Sequence, residues 1–144
     1  MGKLYDTDII AWSLEQAALL RHGRWAELDL DNIAEEIEEV GKTCHREFSS
    51  RFTVLVTHLL KWRFQAHLRS KSWQTTIRAQ RSKIARRLQQ TPSLRHDMAR
   101  PDWLHDIWGD SVDDAEEQTG LENVFPREPV WTAEQILDPN FLPD

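Results

Sequence analysis

Apolar residues recur at Ile33, Ile37, Val40, Cys44, Phe48, Phe52, Leu55, Leu59 and Trp62, 29 residues in eight steps, or 3.6 per step. That is the α-helical period, and its phase runs through Gly41 unshifted. The spacing predicts one long helix, Asp31 to Arg63, on the order of 50 Å in length. A glycine inside a helix costs on the order of 1 kcal/mol against alanine, so a break at Val40-Gly41-Lys42 is the alternative. Upstream, Ile10, Leu14, Ala17, Ala18 and Leu20 mark a shorter helix that starts near Thr7 or Asp8 and stops at Gly23. Downstream, Gln65 to Ser70 reads as a connection. Ser70 or Ser72 then caps a third helix whose stripe is Trp73, Ile77, Ile84 and Leu88. Thr91-Pro92-Ser93 opens a fourth, with Leu94, Met98, Leu104, Trp108, Val112 and Ala115 running towards Gly120. Pro101 falls inside that pattern and predicts a kink or restart around Arg100 to Asp102.

Residues 121–144 read as an extended arm with one short final helix. Thr132 and Gln135 have the spacing of a capping box, and Trp131 and Ile136 that of a hydrophobic staple. Asp138-Pro139 stops this helix, while Trp131, Ile136 and Leu137 give the arm anchors for packing back on the bundle. No period-two alternation and no Asn-Gly or Asp-Gly turn competes with helix. The expected class is all-α: an up-and-down bundle of about four helices around one long central helix, with a C-terminal arm. Length predicts a single domain over 1–144, the bundle occupying about 5–120.

Composition narrows the function classes. With 40% hydrophobic and 29% charged residues among 144, no apolar run approaches the roughly 18 residues of a membrane span. Met1-Gly2-Lys3-Leu4-Tyr5-Asp6 has neither a secretory core nor a myristoylation pattern, so a cytoplasmic location is expected. The lone Cys44 has no partner for an internal disulfide.

Charge is segregated along the chain. Residues 1–47 hold 11 acids and five bases, residues 48–96 no acid and 11 bases, and residues 97–144 13 acids and two bases. One reading is internal: the acidic fourth helix lies along the third, and Arg78, Arg81, Lys83, Arg86 and Arg87 pair with acids such as Asp97, Asp106, Asp110, Asp113 and Glu117. The other is a basic face for phosphate or an acidic partner, built from the same residues with Lys61, Arg63, Arg69 and Lys71. The internal reading is favoured, because on a helical wheel these bases surround the helix instead of forming one stripe.

Chemical motifs are sparse. Glu35, Glu36, Glu38 and Glu39 resemble a ligand cluster, yet no Glu-x-x-His, His-Glu-x-x-His or Cys-x-x-Cys occurs, so no metal site or cofactor is implied. An acidic first turn favoured by the helix dipole explains the glutamates. His58 lies in the apolar run 54–60 and is expected to be mostly buried with a hydrogen-bond partner. Cys44 sits on the same stripe, about 21 Å away along a continuous helix, too far for a nucleophilic pair. Seven tryptophans suit packing, although Trp62 and Trp73 have bases beside them, as in single-strand binding platforms.

The order Tyr5-Asp6-Thr7-Asp8 with Trp12, then Glu15 to Arg21, then Glu27-Leu28-Asp29-Leu30-Asp31-Asn32-Ile33-Ala34-Glu35-Glu36-Ile37-Glu38 resembles the bacterial family called "domain of unknown function 29". The resemblance continues through His58-Leu59-Leu60-Lys61-Trp62, Ser72-Trp73, Ile77 with Gln80-Arg81, Pro92-Ser93-Leu94, Thr119-Gly120 and Trp131-Thr132. It spans Leu4 to about Pro143 and departs at Arg100-Pro101-Asp102, where a proline-free helical run is implied. It implies a small, all-helical, single-domain bacterial protein and brings no established activity, cofactor or catalytic residue.

The first expectation is therefore a macromolecular interaction module, with a protein partner or self-association favoured over nucleic acid. Its candidate binding residues are Lys61, Arg69, Lys71, Trp73, Arg78, Arg81, Lys83, Arg86 and Arg87. The alternatives are an enzyme with a polar site from Glu36, Glu39, His58, Lys61 and Arg81, and RNA or DNA binding through residues 61–87.

Overall fold

The apolar phase through Gly41 is realised as one uninterrupted helix of 35 residues, Leu30–Phe64. The structure is a computed structural model and describes residues 2–144. Those residues form seven α-helices: α1 (Gly2–Thr7), α2 (Ile9–Arg21), α3 (Leu30–Phe64), α4 (Lys71–Gln90), α5 (Arg95–Ala99), α6 (Trp103–Thr119) and α7 (Ala133–Leu137). Short 3-10 turns lie at Trp25–Glu27, Ala66–Leu68 and Pro92–Leu94. Well over half of the described residues are helical and none is in a strand. The class is all-α, built on one long central helix, as the periodicity predicts. The chain divides into two compact units, residues 1–44 and 45–144.

In the unit from His45 onward, Phe48, Phe52, Leu55 and Leu59 of α3 meet Ile77, Ile84 and Leu88 of α4, and Ile107, Trp108 and Val112 of α6. Trp103 stacks on Phe48 at 5.6 Å and meets the edge of Phe52 at 4.8 Å. The arm is held on this core as its anchors predict, with Ile136 fully buried and Trp131 edge-on to Trp108 at 5.2 Å. Local signals fix the ends. The Ser70 hydroxyl accepts from the Trp73 amide at 3.1 Å, Gly120 ends α6 in the left-handed region at φ 73°, and Thr132 with Gln135 closes the capping box of α7. Pro101 produces a restart: α5 stops at Ala99 and α6 begins at Trp103, because proline offers no amide and crowds the preceding turn.

In the unit up to Cys44, the Asp8 carboxylate caps α2 by accepting from the Ala11 amide at 3.0 Å. Trp12 is its buried large hydrophobic side chain, and its indole N–H donates to Asp29 at 2.9 Å. Asn32 donates to the same carboxylate at 2.8 Å, and the Gln16 side chain accepts from the Asp29 amide at 2.9 Å. Two expectations are corrected here. Helix α1 is not anticipated by the periodicity, and the stripes assigned to the interior, Ile10 and Leu14 on α2 and Ile37 and Val40 on α3, are exposed. Helix α2 is apolar around most of its circumference, so its inward face is chosen by the Trp12–Asp29 bond instead of by periodicity.

A Cβ added at Gly41 would meet nothing within 4 Å. Gly41→Ala is therefore expected to raise stability by about 0.5–1 kcal/mol, read as a higher urea midpoint. A lower midpoint would contradict an uninterrupted helix at that residue.

Candidate functional site

The residues nominated from sequence separate into distinct settings. Glu36 accepts the Tyr5 hydroxyl at 2.6 Å, a bond that, with burial and the neighbouring acids, pushes the phenol up to about 12. Glu39 is half-buried on the same helix. Glu36 and Glu39 belong to the unit up to Cys44, and His58, Lys61 and Arg81 to the unit from His45 onward. Among the described residues no group of three or more His, Cys, Asp or Glu side chains is placed to hold a metal ion.

His58 is half-buried, less than expected, with Nδ1 2.9 Å from the Val54 carbonyl. Lys61 is buried; its ammonium donates to Gln118 at 2.9 Å and sits 4.9 Å from the Trp73 ring centre. Burial lowers both groups below their ordinary values, and the Lys61 charge adds to the effect on His58 while the Val54 carbonyl opposes it. Because the folded state holds the His58 proton less tightly than the unfolded chain, stability falls as pH drops from about 6.5 through the lowered folded value, and the loss is complete below it. Urea unfolding at neutral pH and at pH near 5 should show a larger loss for the parent than for His58→Gln. Equal losses would sink this assignment.

Most of the basic middle segment is not neutralised in the way its charge pattern predicts. Among the described residues, Arg87 is the one of the six α4 bases that pairs with a carboxylate, and its partner is Glu47 at 2.6 Å instead of an acid from residues 97–144. Arg51 also reaches Glu47, at 3.1 Å, and the two guanidinium groups hold this carboxyl below the usual carboxylate range. Arg81 donates to the carbonyls of Ile136 at 2.8 Å and Phe141 at 2.7 Å, which ties the arm to α4. Arg69 donates to the Trp62 carbonyl at 2.8 Å and lies over the Trp62 ring. The rings of Trp62 and Trp73 thus already carry internal cations. Among the described residues Lys71, Arg78, Lys83 and Arg86 are exposed with no carboxylate in ion-pair range. Two acids of α6, Asp113 and Glu116, pair with Arg127 of the arm instead. Arg51, Lys83, Arg86 and Arg87 with Glu47 and Gln90 surround a shallow cavity of about 260 Å3.

The surface that sequence reasoning missed is apolar and belongs to residues 2–44. Leu14 is 68% exposed and Ile10 71% on one side of α2, four residues apart. Leu30, Ile37 and Val40 are 65%, 66% and 67% exposed at a spacing that keeps them on one stripe of α3. Exposed acids flank them, Glu15 on α2 and Asp31, Glu35 and Glu38 on α3. Single exposed leucines are ordinary, and here several recur on one side of α2 and on one stripe of α3. The only sequence signal was that α2 has more apolar positions than one buried face needs.

No helix among the described residues is long and apolar enough to cross a membrane. No curated protein and no solved structure matches the chain. The family described as "Domain of unknown function DUF29" matches residues 4–142, from the α1 residues that meet Glu36 to the arm residues that Arg81 holds. The chain belongs to that DUF29 family.

Proposed function

We propose that this protein is a macromolecular interaction module whose partner is another protein, docked on the exposed apolar stripes of residues 2–44. The observation that carries this reading is the 65–71% exposure of Ile10, Leu14, Leu30, Ile37 and Val40. The partner's chemistry follows from charge. Residues 1–44 hold ten acids against four bases, so a complementary surface is an amphipathic helix with an apolar face edged by Lys and Arg. Apolar contact would supply affinity, and the acids would reject acidic competitors.

The test is a calorimetric titration with a designed leucine–lysine helical peptide, alongside a leucine–glutamate peptide of the same pattern. The lysine peptide should bind and the glutamate peptide should not. Replacing Ile10, Leu14, Ile37 and Val40 by serine should abolish binding while the circular dichroism spectrum is kept, since these side chains are exposed. Equal binding of both peptides, or binding unchanged in the serine variant, overturns the reading.

A second reading, RNA or DNA binding through residues 61–87, is supported by Lys83 and Arg86, exposed and without an ion pair among the described residues, beside Arg51 and Arg87. Two phosphate contacts there would make log K fall by about 1.4 to 1.8 per log unit of salt. Oligonucleotide titrations at two salt concentrations check it. The expected result is a salt-sensitive affinity lost in Lys83→Glu with Arg86→Glu, and absence of binding at low salt removes this reading.

A further inference from the structure

Arg81 is 6% exposed, and its two bonds to backbone carbonyls leave its charge without a carboxylate in ion-pair range among the described residues. Asp138 acts on it electrostatically but not in contact. A buried guanidinium has five N–H donors, and Ile136 and Phe141 take two of them. Beside it, between α4 and the arm, is a cavity of about 280 Å3, near the lower end of small-molecule pockets, which run from roughly 300 to 1,000 Å3. Its walls are mainly apolar: Ile77 and Ala85 from α4, Leu137, Pro139 and Leu142 from the arm. The polar groups on the lining include Arg78 one turn before Arg81, and the Ser82 hydroxyl. Arg78 is exposed and makes no side-chain hydrogen bond or ion pair among the described residues.

Two arginines, one of them buried, on the wall of a mainly apolar cavity select one ligand chemistry. A neutral apolar molecule would leave the Arg81 charge uncompensated, and a bare inorganic anion would leave the apolar walls wet. We propose that this cavity binds a small organic monocarboxylate with a compact apolar body, its carboxylate on Arg78 and Arg81 and its body against Ile77, Ala85, Leu137 and Leu142. Occupation bridges α4 and the arm, so the ligand also tightens residues 133–143. This site is independent of the protein-docking face and stands or falls separately from it.

The experiment is a titration of the full chain with hexanoate, hexanamide and inorganic phosphate, read by calorimetry and by amide exchange. Hexanoate should bind saturably at one site, about tenfold or more tighter than hexanamide, the loss expected when a charge-assisted contact is removed. It should slow exchange in residues 133–143. Arg78→Gln, at an exposed and unbonded residue, should weaken hexanoate about tenfold with the fold kept, and Ala85→Phe should block it by filling the cavity. Comparable binding of hexanamide or of phosphate, unchanged hexanoate affinity in folded Ala85→Phe, or no heat with hexanoate at millimolar concentrations overturns the proposal.

Discussion

Replacing Trp108 by alanine is expected to cost about 3–5 kcal/mol of folding free energy. The side chain is fully buried, its indole N–H donates to the Pro126 carbonyl at 2.7 Å, and its ring meets Trp131 edge-on. Removal leaves a cavity beside Val112 and Ile107 of the same core, orphans a carbonyl in the arm and takes away a wall against which Trp131 rests. The melting temperature should fall on the order of 10 °C for a chain of this size, and the arm should become the first site of proteolysis. Trp108→Phe separates the contributions: it keeps most of the packing and loses the hydrogen bond, for about 1 kcal/mol. An alanine variant that melts within about 2 °C of the parent would contradict the placement of Trp108 at the junction of core and arm.

The second large effect is at Trp12. Its ring is 4% exposed, packs edge-on to Tyr5 at 4.8 Å and is fixed by the bond to Asp29. Burying an indole supplies about 3–5 kcal/mol against alanine, and residues 2–44 have little other apolar burial to hold α1 and α2. Trp12→Ala is therefore expected to release these helices, with amide-exchange protection lost across Ile9–Arg21 and a drop in helical ellipticity. Retained protection in α2 would show that something other than Trp12 holds this unit. The carboxylate of Asp29, lowered by its bonds from Asn32 and Trp12 against the cost of burial, belongs to the same network.

The sequence carried the class and nearly every boundary because those depend on local physics. A 3.6-residue phase, a serine or threonine cap, a capping box and a helix-stopping glycine act within one or two turns, and α3, α4, α6 and α7 begin and end close to where these signals fall. What it carried poorly is which face is covered. Ile37 and Val40 continue the phase of Phe48 and Phe52 without a break, yet the first pair is exposed and the second buried. Periodicity reports that a face is apolar, not that this chain supplies its cover. Charge misleads for a related reason. Eleven bases without an acid between residues 48 and 96 suggest pairing with the acidic last third, but Arg81 spends its donors on carbonyls and Arg87 on Glu47, contacts set by packing that no charge count contains. Glu47 lay at the edge of the acidic first segment, where its i,i+4 spacing to Arg51 was the one visible clue.

The measurement that tests the docking face most directly is site-specific photo-crosslinking in the living cell. A photoreactive side chain is placed at Leu14 or Ile37, both about two-thirds exposed, and for comparison at Gln90, exposed at the end of α4. The expected result is a discrete adduct with a different protein from Leu14 and from Ile37, none from Gln90, and a crosslinked segment of the partner that is apolar on one helical face and rich in Lys and Arg beside it. An adduct between two copies of this chain, the same adduct from all three positions, or no adduct from Leu14 and Ile37 would contradict it.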